Sequence, residues 1–174
     1  VLFRSTYTYM GNSVEVVENN RGYESIIHLE LNEKGLVTKI SESGGYSTFG
    51  YYANGNLETI KSFSEAGELR FSHEYSYDSN PNPFFEQLNS LYLPRFIDIM
   101  EDLLYGENIF YPYQGYLLPY MKNNITQVTY HSSEYPDWSP VRDYSYSYDS
   151  DGYPVKVTEK LDGNSAFIFD IQYN

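Results

Sequence analysis

Apolar and polar residues alternate along most of this chain, and short polar turns that contain glycine interrupt the alternation at regular places. Residues 29–40 can be laid over residues 49–60 without a gap, an offset of 20 positions that also aligns their turn glycines. A third copy of the pattern covers residues 146–157, and a fourth begins at 75–78. Because successive side chains of a strand point to opposite faces, alternation on both sides of a glycine turn predicts a repeated β-hairpin.

The same alternation recurs in the rest of the chain and predicts roughly ten to twelve strands joined by short turns. We therefore expect an antiparallel up-and-down meander. A chain of 174 residues is long enough for one sizeable core and has no obvious linker, which predicts a single domain over residues 1–174. The predicted fold class is all-β with a small helical insertion.

The helical insertion is predicted over residues 83–105. Asn82 and Pro83 are typical of a helix N-cap and first turn, and apolar residues then recur at helical spacing. Pro94 interrupts this spacing, and Gly106 is typical of a C-cap. We expect two short helices that pack against the sheet or across one end of it.

The chain is acidic, with 24 Asp and Glu residues, 11 Lys and Arg residues and a formal net charge of -13. A field of this sign repels phosphate groups and anionic lipids, so nucleic acid and membrane surfaces are not expected as partners. The absence of cysteine excludes disulfides, thiolate metal sites and cysteine nucleophiles. An apolar run of about 18 residues would predict a transmembrane helix, and the sequence contains no run of that length.

Three short motifs give the chain a family resemblance. They lie at residues 77–84 (YDSNPNPF), 123–126 (NNIT) and 148–154 (YDSDGYP). With these motifs in this order, most of residues 25–174 resembles a family of Bacteroidetes secreted lipoproteins of unknown function with a porin-like antiparallel β fold. The Tyr-Asp-x-x-Gly unit is also similar to the YD repeats of bacterial surface toxins.

The resemblance implies export, a lipid anchor upstream of residue 1, and a location at the cell surface or in the periplasm. It also implies a barrel-like sheet, but it brings no activity, cofactor or catalytic residue. A membrane barrel has an apolar outward band, whereas polar residues alternate with the apolar ones here. We therefore expect a soluble barrel-like or strongly curved sheet whose apolar residues point inward.

One fragment of the chain is similar to a metal-binding loop. Residues 149–152 (DSDG) match part of a calcium loop, in which several oxygens converge on the ion. The third early ligand and the distal Glu are missing, so a tight turn is the favoured interpretation, and no metal or cofactor is predicted. His28, His73 and His131 lie on separate strands or strand ends, and no motif of a serine hydrolase or zinc protease is present.

The candidate binding site is the proline-bearing loop over residues 131–140. It contains Glu134, Tyr135, Asp137 and the sole tryptophan, Trp138. Exposed aromatic rings beside carboxylates are a usual means of gripping the face and the hydroxyl groups of a sugar. The alternative is that Trp138 folds back and plugs one end of the barrel, because large apolar rings are usually well buried.

These features favour a non-enzymatic binding domain for a neutral ligand such as a glycan, or for a protein partner. Two alternatives stay open. One is a hydrolase whose carboxylates meet in the barrel mouth, for which two close acids with raised pKa values in a cleft would be the sign. The other is a structural surface subunit that assembles through its sheet edges, for which a long unprotected edge strand would be the sign.

Overall fold

A single antiparallel sheet of eleven strands makes up most of the protein described here. The computed structural model describes residues 4–20, 22–83, 85 and 121–173. The strands lie in chain order, and each pairs antiparallel with the next. They are β1 (Arg4–Met10), β2 (Ser13–Asn20), β3 (Tyr23–Leu31), β4 (Val37–Glu42), β5 (Gly45–Tyr51), β6 (Leu57–Ser64), β7 (Leu69–Pro81), β8 (Asn123–Ser132), β9 (Val141–Tyr148), β10 (Pro154–Leu161) and β11 (Asn164–Asp170). The predicted all-β antiparallel meander is therefore confirmed.

The predicted helical insertion over residues 83–105 lies outside the described residues, apart from Pro83 and Phe85, which lie in a turn. In this turn the backbone N–H of Phe85 donates to the carbonyl of Asn82 at 3.1 Å. Among the residues that the structure describes, none belongs to a helix with the length and hydropathy needed to cross a bilayer.

The hairpin turn that repeats in the sequence has the same backbone geometry in four places. Its first residue donates its N–H to the carbonyl of the fifth, and its fourth residue, a glycine, donates to the carbonyl of the first. These bonds are 2.8 to 3.2 Å long. The glycine has a positive φ each time, which a residue with a Cβ adopts only at a cost. The four turns are residues 32–36, 52–56, 64–68 and 149–153.

One face of the sheet, which we call the buried face, carries the apolar core. Alternate positions of a strand point to the same side, and the register then aligns these positions across the sheet. Leu29, for example, lies between Val14 on β2 and Ile40 on β4. The buried apolar side chains form one cluster that extends from β2 to β10. They are Val14, Val16, Ile27, Leu29, Val37, Ile40, Phe49, Leu57, Ile60, Tyr75, Met121, Ile125, Tyr144 and Val157.

The three motifs that carry the family resemblance meet at one side chain, Asp78. Its Oδ1 accepts hydrogen bonds from the backbone N–H of Asn80 at 3.0 Å and of Asn124 at 3.1 Å. Its Oδ2 accepts a hydrogen bond from the hydroxyl of Tyr148. Since Asp78, Asn124 and Tyr148 belong to the first, second and third motif, the motifs fasten the ends of β7 and β9 to the start of β8.

A buried ion pair joins β9 and β10. The Glu159 side chain is 0% exposed, and its Oε1 accepts a hydrogen bond from Nη1 of Arg142, whose side chain is 12% exposed. Burial raises the pKa of Glu159, and the positive charge of Arg142 opposes that rise. Its Oε2 has no hydrogen-bond partner among the described residues. The negative charge of Glu159 therefore depends on Arg142 for its compensation.

Candidate functional site

The four residues predicted to bind ligand all lie in the connection between β8 and β9, and all four are exposed. The exposed fraction is 58% for Tyr135 and 39% for Trp138, and Glu134 and Asp137 are also on the surface. A tryptophan with this exposure presents part of its ring to solvent. It is therefore not enclosed as a plug inside the sheet would be.

Hydrogen bonds fix this loop to the neighbouring strand. The backbone N–H and the hydroxyl of Ser133 both donate to the carbonyl of Arg70 on β7, each at 2.9 Å. The N–H of Tyr130 donates to the carbonyl of Pro140 at 3.1 Å, which closes the loop at its base. Within the loop, the N–H of Trp138 donates to the carbonyl of Tyr135 at 3.0 Å. These bonds give the two exposed rings a defined backbone.

Trp138 is the outermost member of an aromatic cluster formed by Phe71, His73, Tyr130 and Trp138. Its ring meets the ring of Tyr130 edge to face, with the centroids 5.6 Å apart and the planes at 68°. Tyr130 in turn packs against His73 at 5.2 Å and Phe71 at 6.0 Å. Edge-to-face contact is a preferred geometry for aromatic rings. The cluster thus packs against the ring of Trp138 on one side.

His73 is the buried member of this cluster. It is 4% exposed, and its Nδ1 has no hydrogen-bond partner among the residues that the structure describes. Burial lowers the pKa of His73 to about 4, and the charge of His131 adds to the effect. The imidazole is therefore neutral at neutral pH, and it serves the cluster as an uncharged ring.

A concavity of about 160 Å³ adjoins the aromatic cluster, and Phe71 belongs to both. Polar groups on its wall include Arg70 and Glu42. The guanidinium of Arg70 donates to the carbonyl of Gly44 at 3.1 Å. Burial raises the pKa of Glu42, and the charge of Glu18 adds to this rise. The concavity can therefore offer hydrogen bonds to a small polar group.

Sequence reasoning did not find the concavity, because its wall comes from four strands. Ile40, Ser47, Ser62 and Phe71 lie in one row across β4 to β7, each opposite the next. Ser47 and Ser62 are 4% and 7% exposed, so the row places two small hydroxyl side chains among apolar neighbours. A serine at an inward position of an alternating strand is the signal that could have indicated a gap in the core.

The side chain of Asp149 serves the turn in which it lies. Its Oδ1 accepts hydrogen bonds from the backbone N–H of Asp151 at 3.0 Å and of Tyr153 at 2.9 Å. This is the tight turn favoured by the sequence, in which an Asp side chain bonds the backbone that follows it. Within the described ranges, no group of three or more His, Cys, Asp or Glu side chains is arranged to hold a metal ion.

The three histidines have separate surroundings. His28 on β3 lies 3.9 Å from the carboxylate of Glu15. His131 on β8 places its Nδ1 3.1 Å from the hydroxyl of Ser139. His73 is buried in the aromatic cluster, as described above.

These observations define the class of protein as an all-β protein of one antiparallel meander with an exposed aromatic loop. Among solved structures, the chain is similar to a porin-like protein from Bacteroides uniformis and to one from Bacteroides vulgatus. The first is 15% identical with a TM-score of 0.43, and the match covers 94% of this chain and 73% of that chain. The second is 12% identical with a TM-score of 0.43, and the match covers 99% of this chain and 65% of that chain. No protein-family model and no curated protein matches the chain.

Proposed function

We propose that this protein is a non-enzymatic binding domain whose ligand is a neutral glycan. The ligand would stack on Trp138 and Tyr135, and its hydroxyl groups would donate hydrogen bonds to Glu134 and Asp137. The observation that carries the proposal is the partly exposed ring of Trp138, which makes an edge-to-face contact with Tyr130 in a loop that hydrogen bonds fix to β7.

The chemistry of these groups matches a sugar better than an anion. An aromatic ring offers a flat apolar surface to the C–H face of a sugar, and a carboxylate accepts hydrogen bonds from hydroxyl groups. The formal charge of -13 disfavours phosphorylated or carboxylated ligands. A loop that is already ordered loses little conformational entropy on binding, which favours affinity.

The concavity beside Phe71 supports binding rather than hydrolysis. Glycoside hydrolysis generally needs two carboxyl groups on either side of the scissile bond. Among the described residues that form the wall, Glu42 is the carboxyl group, and Glu18, whose charge adds to the raised pKa of Glu42, does not belong to the wall. Glu159 also has a raised pKa, but it lies on β10 and is paired with Arg142. A carboxylate-based hydrolase therefore remains the weaker alternative.

The test is fluorescence titration of the protein with a panel of neutral oligosaccharides. Because Trp138 is the sole tryptophan, any ligand-dependent change in tryptophan emission or in iodide quenching comes from this loop. We expect a saturable change with at least one glycan, and a loss of about tenfold in affinity in Tyr135→Ala. Tyr23→Ala is the matched control, since Tyr23 is 85% exposed and lies at the start of β3.

Equal weakening in Tyr23→Ala, or no saturable response to any glycan, would contradict the glycan proposal. A protein partner is the second candidate ligand, because exposed Tyr and Trp side chains are enriched in protein interfaces. It would be supported if Trp138→Ala abolished binding of a defined protein partner while all glycans left the emission unchanged.

The place of this protein in the cell is part of the same proposal. We place it at the cell surface or in the periplasm, tethered by a lipid anchor upstream of residue 1. The support is the resemblance of its three motifs to secreted lipoproteins. Labelling of the full-length protein by a radioactive fatty acid in its host, followed by membrane fractionation, tests the anchor, and an unlabelled, fully soluble product would refute it.

We further propose that the sheet curves strongly around its buried face. The support is the single apolar cluster that extends from β2 to β10. Strands lie about 4.8 Å apart, so a flat sheet of eleven would be about 48 Å wide. Small-angle X-ray scattering distinguishes the two shapes, and a flat, elongated particle would refute the curvature.

A further inference from the structure

Among the described residues, the sheet has two outer strands, β1 and β11, and both run in the same direction. Each of the ten neighbouring pairs is antiparallel, so odd-numbered strands all point one way. In the part of the chain that the structure describes, β1 pairs only with β2, and β11 pairs only with β10. Each outer strand therefore has an edge whose backbone groups are directed away from the sheet.

β11 has one irregularity, a register shift with β10 between Phe167 and Ser165, but it lacks the side chains by which proteins usually protect an edge strand. Such strands commonly carry Lys, Pro or several charges along their length. Residues 164–170 contain no Lys, Arg or Pro, and their one charge is Asp170 at the end. Ile168 is 60% exposed and Phe167 is 47% exposed. This is the unprotected apolar edge that would indicate assembly through strands.

The backbone groups available at this edge follow from one hydrogen bond. The N–H of Ile171 donates to the carbonyl of Val155 on β10 at 2.9 Å. In an antiparallel ladder such bonds recur at every second residue, so Phe169 and Phe167 also face β10. The N–H and C=O groups of Ile168 and Asp170 consequently point outward, where another strand can pair with them.

Strand direction restricts how a second copy of the chain can add to β11. An antiparallel partner at this edge must have its strand direction reversed. If β1 of the second copy were placed beside β11 of the first, reversing the strand direction would turn the buried face of the second copy to the opposite side of the sheet. If its β11 is placed there, a two-fold axis perpendicular to the sheet reverses the strand and keeps both buried faces on the same side. Two-fold pairing of β11 is thus the antiparallel arrangement that continues both faces.

We propose that two copies of this protein associate through antiparallel pairing of their β11 strands. The two-fold axis lies at Ile168, so that each Phe167 is opposite Phe169 of the other copy. These two rings already stack within one copy, with centroids 6.1 Å apart, and pairing extends the stack across the axis. The two Asp170 side chains are kept apart at opposite ends of the paired strands, so like charges do not face each other.

The dimer formed in this way is weak, because one strand edge buries less area than the about 1,200–2,000 Å² of a standard stable interface. Each copy also carries a formal charge of -13, and salt screens the repulsion between them. We therefore expect the dimer fraction to increase with protein concentration and with NaCl concentration.

The experiment is sedimentation velocity on residues 1–174 and on Ile168→Pro. Proline removes the N–H that faces the free edge and leaves the bonds to β10 intact, and edge strands tolerate proline at such positions. We expect the dissociation constant of the dimer to rise by about tenfold or more, with an unchanged far-UV circular dichroism spectrum. Thr8→Lys on β1 is the control at the opposite edge and should leave the dimer unaffected.

A cysteine cross-link tests the register independently of the proline variant. The chain contains no cysteine, so Ile168→Cys introduces a single thiol. Directly opposed, hydrogen-bonded residues have Cα atoms about 5.5 Å apart, which a disulfide can span. We expect a covalent dimer under mild oxidation, but none from Tyr153→Cys, which is also exposed. A monomeric chain at all concentrations, loss of the dimer in Thr8→Lys instead, or equal cross-linking of both cysteine variants would overturn the proposal.

Discussion

The ion pair between Arg142 and Glu159 provides a sharp test of the buried face. Arg142→Met keeps an unbranched apolar stem, although a shorter one than that of arginine, and removes the charge that compensates Glu159. Because Glu159 is 0% exposed, the variant leaves a carboxylate uncompensated in the core. Removal of one partner of a buried ion pair costs about 3–5 kcal/mol, because the remaining charge stays buried.

This cost can be expressed as a melting temperature. Globular proteins have an entropy of unfolding of about 2.1 cal/mol/K per residue, which for 174 residues is about 0.37 kcal/mol/K. A loss of about 4 kcal/mol therefore lowers the melting temperature by about 11 °C. Urea denaturation followed by circular dichroism gives the free energy of unfolding directly, and differential scanning calorimetry gives the temperature.

The loss of stability in Arg142→Met, relative to the wild type, should depend on pH in a defined direction. Burial already raises the pKa of Glu159, and loss of Arg142 removes the effect that opposes this rise. An acid whose pKa is higher in the folded state binds its proton more readily there, so the folded state gains stability as pH falls through that pKa. The variant should thus be closer to the wild type at about pH 5 than at about pH 8.

The matched control is Lys39→Met, which breaks the exposed pair between Lys39 and Glu30 at 3.3 Å. An exposed pair of this kind contributes at most about 1 kcal/mol. If Arg142→Met lost no more stability than Lys39→Met, or if its deficit were the same at both pH values, the assignment of an uncompensated buried charge to Glu159 would be wrong.

Two further predictions concern buried polar groups elsewhere in the sheet. Burial lowers the pKa of His73 to about 4, so as pH falls below about 6.5 the unfolded state binds a proton before the folded state does. The free energy of unfolding should therefore decrease by about 2 kcal/mol between pH 8 and pH 5, as measured by urea denaturation. The variant His73→Phe should abolish this decrease. Asn56 is 1% exposed, donates to Oδ1 of Asn123 at 3.0 Å and accepts from the N–H of Lys122 at 2.8 Å. Asn56→Ala should destabilise the fold by about 2–4 kcal/mol, because it leaves these two groups without a partner. The control Asn54→Ala, in an exposed turn, should cost less. Equal losses of stability in the two variants would argue against the buried network.

The repeated hairpins could be predicted from sequence because their causes are local. Alternation of apolar and polar residues depends only on the two-residue period of a strand, and the turn at Gly35 depends on the positive φ of one glycine. The position of Trp138 and Tyr135 in a proline-bearing loop between strands was also predicted, but whether Trp138 would be exposed or folded back as a plug was left open. The strand order required one further rule, namely that short turns join neighbouring strands.

Three features depended on tertiary structure, because each joins residues that are distant in the sequence. The aromatic cluster requires β7 to lie beside β8, which brings Phe71 and Tyr130 together across a gap of more than fifty residues. The compensation of Glu159 by Arg142 requires the register between β9 and β10. The position of β11 as an outer strand among the described residues depends on which strands pair, because alternation specifies the two faces of a strand but not its neighbours. The sequence by itself thus determined the local elements of this protein, whereas strand pairing decided which side chains meet and which backbone groups remain available.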